Sequence, residues 1–120
     1  MKIFSFEKLK VWQKSRKLAV KIYKQTKFFP KDERFGLVSQ MRRSVVSISS
    51  NIAEGTGRHS SKDKARYTEI AFGSALELLN QSIISFDLEF LEKEDYLEIR
   101  NDISEITAML DALRKSQLNS

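Results

Sequence analysis

A chain of 120 residues, 41% apolar and 31% charged, is long enough for one compact domain with a single core and short for two. Cysteine is absent, which excludes disulfides and thiolate metal sites. The start MKIFSFEKLKVWQKSRK lacks the apolar run of a signal peptide, and no stretch approaches the roughly 20 apolar residues of a membrane span, so a cytoplasmic protein with no membrane partner is expected.

Four glycines, one proline and long breaker-free runs predict helix throughout. The first helix is expected from Glu7 to Phe28, stopped by Phe29-Pro30 because proline lacks a donor and restricts the residue before it. The second is expected from near Asp32, whose carboxylate can cap free amides, to Gly55-Thr56-Gly57. Its apolar residues Val38, Met41, Val45, Ile48 and Ile52 step by three and four along one face. A second stripe, Gln40, Ser44, Ser47, Asn51 and Glu54, carries small hydroxyls and amides where a solvated face would carry Lys and Glu. The third helix opens at Ser60 or Ser61, where Ser60 and Asp63 resemble a capping box, and runs to about Phe90 with Thr68, Phe72, Ala75, Leu79 and Phe86 inward. The fourth starts near Glu94-Asp95, acids suited to a helix N-terminus, and ends around Lys115, with Tyr96, Ile99, Ile103, Ile106, Leu110 and Leu113 as a heptad seam. Short connections between long helices make neighbours antiparallel. The fold class is therefore all-α, an antiparallel up-down-up-down four-helix bundle forming a single domain over residues 1–120. No internal repeat or low-complexity tract interrupts it, and the sequon Asn80-Gln81-Ser82 is read as chance within a helix.

Gly73-Ser74 in the middle of the third helix costs roughly 1 kcal/mol at the glycine relative to alanine, which predicts a compensating close approach of helices. Ser47, Asn51 and Ser74 are expected to meet there. Gln40, Glu54, Glu77 and Gln81 would extend them into a polar packing network that fixes the register of the bundle, with a ligand pocket as the alternative use.

Charge is unevenly placed. Residues 1–66 hold 17 Lys or Arg against 5 Asp or Glu, and residues 67–120 hold 4 against 11. Lys10, Lys14, Lys17, Lys21 and Lys24 lie along one face of the first helix, where Glu7 is the only acid, so they need a counter-charge from outside it. Solvent and salt could supply it. Protein could, through Glu94, Asp95, Glu98, Asp102, Glu105 and Asp111 of the fourth helix, either in the same subunit or in a neighbour, the latter a heterologous contact able to close a ring. Nucleic-acid phosphate is the third source, favoured by the basic excess, by Arg42 and Arg43, and by Arg58, Lys62, Lys64 and Arg66. The loop Gly55–Ser61 lacks both the Lys-Ser/Thr ending of a P-loop and a preceding strand, and at seven residues it is too long for a helix-turn-helix turn, so it reads as a basic-rimmed connection.

Catalytic residues are not identified. His59 is the single histidine, too few for a di-iron bundle, and no nucleophile, base and oxyanion set can be assembled. No metal site or cofactor is expected. Phe28, Phe29, Phe35, Phe72, Phe86 and Phe90 are expected mostly on apolar faces or at helix ends, without an exposed stacking platform, while Trp12, Phe4 and Phe6 suit a subunit interface.

One resemblance runs through nearly the whole chain. Phe6, Leu9, Trp12, Tyr23, Thr26, Phe29-Pro30, Leu37, Gln40 and Arg43 open it. It continues through Ser47-Ile48, Asn51-Ile52-Ala53-Glu54-Gly55, Arg58, Ser60, Arg66, Ile70-Ala71, Gly73-Ser74, Glu77-Leu78 and Gln81. In these positions the chain resembles the 23S rRNA intervening-sequence proteins, four-helix bundles encoded by bacterial insertions in large-subunit rRNA genes. Arg16 and Val45-Val46 depart from the small apolar residue and the alanine-rich pair usual there. The resemblance implies a ring-shaped homo-oligomer, often a pentamer, and brings no established enzymatic activity. A related bundle, the accessory protein of diversity-generating retroelements, is a basic pentamer that binds nucleic acid, which makes a ribosomal or reverse-transcriptase component a possible protein partner by analogy. The expected function is a non-enzymatic nucleic-acid-binding or scaffolding protein with structured RNA as ligand, held by Lys10, Lys14, Lys17, Lys21, Lys24, Arg42, Arg43, Arg58 and Lys62. The alternative is a structural or protein-interaction module with no nucleic-acid ligand.

Overall fold

The computed structural model describes residues Met1–Ser120. It contains four α-helices, α1 (Lys10–Thr26), α2 (Leu37–Thr56), α3 (Ser61–Asp87) and α4 (Lys93–Leu118), with 3-10 turns at Ser5–Lys8 and Lys31–Glu33. Each helix packs on its sequence neighbours and α4 closes against α1, while the diagonal pairs make no backbone contact. This is the antiparallel up-down-up-down four-helix bundle, 45 Å along its longest axis. The 27 residues of α3, rising about 1.5 Å each, account for most of that length.

The helix starts differ from expectation where a side chain is used locally. Glu7 does not begin α1: its carboxylate accepts the Phe4 amide at 2.8 Å and closes a separate turn, and the extended Leu9 intervenes. Asp32 does not cap α2 either. It lies in the second 3-10 turn, and Glu33 Oε1 accepts the Leu37 amide at 3.2 Å instead. At α3 the Ser60 hydroxyl accepts the Asp63 amide at 3.0 Å, as the sequence implies.

The end of α3 is a Schellman motif. Phe90 N–H donates to the Ser85 carbonyl and Glu89 N–H to the Phe86 carbonyl, both at 2.9 Å, with Glu89 at φ 63°. Glycine would occupy that left-handed position without steric cost. Glu89→Gly is expected to raise stability by about 1 kcal/mol, seen as a higher urea midpoint at unchanged slope; an unchanged midpoint would mean that Glu89 is unstrained.

Seventeen buried apolar residues form one core, including Leu18 and Ile22 of α1, Met41, Val45, Ile48 and Ile52 of α2, and Ile99, Ile103, Ile106 and Leu110 of α4. The α4 seam thus lies inward along its middle, with Tyr96 and Leu113 half-buried at its ends. On α3 the expected stripe sits to one side. Thr68 and Ala75 are buried, but Phe72, Leu79 and Phe86 are half-buried toward α4, and the deepest positions belong to Ala71, Ala75, Leu78 and Ser82. Small residues there let α2 and α4 approach α3 from two sides. Ser82 and Ser85 remain satisfied because each hydroxyl donates back to the carbonyl four residues earlier, at 2.8 and 2.7 Å.

Candidate nucleic-acid interface

The lysine row of α1 runs beside α4, and that contact divides it. Lys14 Nζ stands 2.5 Å from Glu105 and 3.7 Å from Asp102; Lys21 Nζ stands 2.5 Å from Glu98 and 2.6 Å from Asp102. Asp102 bridges both lysines at 16% side-chain exposure. The hydrogen bond from Lys14 to Glu105 holds the Lys14 ammonium above its ordinary pKa despite partial burial, with Asp102 adding to the effect. Burial pulls the Lys21 ammonium down, and its bonds to Asp102 and Glu98 more than reverse this. Lys10, Lys17 and Lys24 are exposed and form no ion pair.

The arginines divide in the same way. Arg42 joins α2 to the last turn of α1: its guanidinium lies 4.6 Å from the Tyr23 ring centre and donates to Thr26 Oγ1 at 3.0 Å and the Tyr23 carbonyl at 3.3 Å. Arg58 pairs with Glu54 at 2.7 Å, donates to the Tyr67 hydroxyl and stacks on that ring. Arg43 and Lys62 are exposed without an ion-pair partner. Of the nine expected phosphate contacts, Lys10, Lys17, Lys24, Arg43 and Lys62 therefore stand free, while Lys14, Lys21, Arg42 and Arg58 are engaged within the subunit. Two further cations, Arg16 and Lys27, are exposed on α1 and at its end. The three-and-four spacing of the row does not select them. The signal that would is the absence of any helix covering that side.

The polar residues of α2 and α3 meet in part. Ser47 Oγ and Ser74 Oγ are 2.8 Å apart, and Asn51 Nδ2 donates to the Ser47 carbonyl at 2.8 Å and its hydroxyl at 3.0 Å. Glu54 turns instead to Tyr67 and Arg58, whose hydrogen bonds hold its carboxyl below the usual range. Gln40 and Glu77 are exposed, and Gln81 is buried with Oε1 lacking a hydrogen-bond partner. Gly73 corrects the close-approach expectation, since a Cβ placed there meets nothing within 4 Å. The glycine that closes α2 on α3 is Gly55, whose Cβ would lie 3.0 Å from Tyr67 Cβ and 3.4 Å from the Lys64 carbonyl.

Phe28 and Phe35 depart from their expected role as well, at 84% and 88% exposure on the α1–α2 connection. Phe6 and Trp12 pack edge to face at 5.0 Å, and Phe4 remains half out in solvent. A shallow cleft of about 250 Å³ between α3 and α4, lined by Thr68, Glu69, Phe72, Leu110, Asp111 and Arg114, is rimmed by the Glu69–Arg114 ion pair. In it the Thr68 hydroxyl donates to the Gln117 side-chain carbonyl at 2.7 Å. No group of three or more acidic or histidine side chains is placed to hold a metal, and no helix is long and apolar enough to cross a membrane.

Comparison with known proteins agrees with the bundle and its sequence pattern. Residues 7–112 match the family described as 23S rRNA-intervening sequence protein. The chain is similar to a crystal structure from Bacteroides thetaiotaomicron, described as a protein of unknown function from the S23 ribosomal protein family. Identity is 30% over 88% of this chain and 98% of that one, with a TM-score of 0.79. No curated protein matches the chain.

Proposed function

We propose that this chain, which belongs to the 23S rRNA-intervening sequence protein family, is a non-enzymatic, cytoplasmic protein that binds structured RNA as a ring-shaped homo-oligomer, a pentamer in the form the family resemblance implies. The observation that carries the reading is the outward set Lys10, Lys17 and Lys24, left without a carboxylate although α4 neutralises their neighbours Lys14 and Lys21. Three ammonium groups at helical spacing repel one another, and a phosphate backbone relieves that repulsion while releasing its own counterions. Lys62, exposed at the start of α3, would add a contact. Recognition is by charge and shape rather than base identity, and a ring multiplies modest contacts through avidity.

The test is fluorescence anisotropy against a structured rRNA fragment over a salt series, with Lys10, Lys17 and Lys24 all changed to Glu. Lys14 and Lys21 stay untouched because their loss would loosen the α1–α4 seam. Wild-type binding should weaken steeply with salt. The variant should bind at least about tenfold more weakly at low salt, with a log–log slope shallower by roughly 2 to 3, one phosphate contact per lysine. Failure of the wild type to bind at low salt would leave the protein-interaction module as the function.

A further inference from the structure

We infer that the outer face of the α2–α3 pair, centred on Gly73, is the surface on which a second copy of this chain docks. The inference takes its partner from the self-assembly proposed above and adds the face.

Gly73 is the starting point. A glycine in the middle of a 27-residue helix weakens that helix, and within the subunit nothing compensates: the residue is exposed and a Cβ would point into open space. A neighbouring chain that approaches closely would use that space. Among the exposed positions of the two helices, Val46 on α2 and Ile70, Leu76 and Ile84 on α3 are 40 to 49% exposed, apolar surface that a solvated helix pair has no use for.

Charge identifies the occupant. Residues 43–54 and 70–84 contain only three charged side chains, Arg43, Glu54 and Glu77, and Glu54 is already paired with Arg58. What remains is one free charge of each sign, Arg43 and Glu77, each one turn from the Ser47–Ser74 contact, with no ion pair to any residue. Such a face offers nothing to a polyanion and nothing to a strongly charged protein. Two copies of a chain with net charge +5 repel each other over most of their surface, and they come together at least cost over a face that is neutral, small and partly apolar. Ser47 and Ser50 on α2 keep the approach as open as Gly73 does on α3.

Light scattering of wild type, Gly73→Leu and Ile70→Lys tests this, with circular dichroism to follow the fold. Both variants place their new atoms outside the subunit core, so both should stay helical. Wild type should run at a multiple of 13.9 kDa, and both variants should fall toward 13.9 kDa. Wild-type mass retained by both variants would overturn the face and leave self-assembly standing. A wild type that is 13.9 kDa at every concentration would remove self-assembly and, with it, the docking face.

Discussion

Gly55→Val is expected to lower stability by about 3 kcal/mol, whereas Gly55→Ala should change it by less than about 1 kcal/mol. The difference arises at the crossing of α2 on α3. A methyl group at position 55 meets Tyr67 Cβ at 3.0 Å and the Lys64 carbonyl oxygen at 3.4 Å, so α3 must give by a few tenths of an ångström. Alanine recovers most of that cost through its better helix propensity, worth about 1 kcal/mol over glycine. Valine adds branches at the crowded carbon, and what they strike is backbone and a Cβ, neither of which can rotate away. In a domain of this size the valine loss corresponds to a fall in Tm on the order of 10 °C. Equal midpoints for the two variants in thermal or urea unfolding would show that α3 moves aside easily and that Gly55 does not set the helix spacing.

The two glycines also show what the sequence makes legible. Helix count, order and class follow from period and punctuation, because every helix except α3 places its large apolar residues on the buried face. On α3 the core is made of alanine and serine, and a pattern read from large side chains lands toward α4 instead. Gly73 reads as a mid-helix glycine and Gly55 as part of the stop of α2, yet it is Gly55, inside α2, that lies against α3. Which of them faces a neighbour is decided by how α2 and α3 are each turned about their axes, and the large apolar side chains of α3 do not report that turn. The misplaced starts of α1 and α2 have a similar origin. Glu7 and Asp32 are suitable first-turn residues, but Glu7 accepts the Phe4 amide and closes its own turn, and Glu33 rather than Asp32 takes the Leu37 amide.

The basic row was legible as a row, and its division was not. Helical spacing places five lysines on one side of α1 but does not say how far α4 leans across them. Asp102 decides that, since it reaches both Lys14 and Lys21 while Glu98 and Glu105 approach from either side. Similarly, Arg42 and Arg43 are adjacent in sequence and 100° apart on the helix, so one clamps α1 and the other faces outward. A phosphate-contact set drawn from sequence alone mixes the two kinds, and only burial and pairing separate them.

Asp102→Ala is expected to destabilise the bundle by about 2 kcal/mol, between the small worth of an exposed ion pair and the larger loss when a buried one is broken. Removing one carboxylate here takes the shared partner from two ammonium groups that are each only about a quarter exposed, at 28% and 26%, and leaves Lys14 with Glu105 alone and Lys21 with Glu98 alone. Asp111→Ala provides the contrast. Its partner Lys115 lies one turn away and both are more than half exposed, so its loss should cost under about 0.5 kcal/mol. The pH dependence gives a second signature. Lys14 and Lys21 have folded-state pKa values raised above the ordinary lysine value of 10.5, so the folded protein binds their protons more tightly than the unfolded chain does. That stabilisation is complete below pH 10.5 and is lost as pH rises through the raised values. Glu105, held low chiefly by its hydrogen bond with Lys14, acts in the opposite direction: its contribution is present above pH 4.5 and is lost as pH falls through the lowered value. Without Asp102 the lysine values should move back toward 10.5, so the variant should lose less stability than wild type between neutral and strongly alkaline pH. Parallel alkaline unfolding profiles for the two proteins would mean that the α1–α4 seam is held by its apolar side chains and that the bridging carboxylate contributes little.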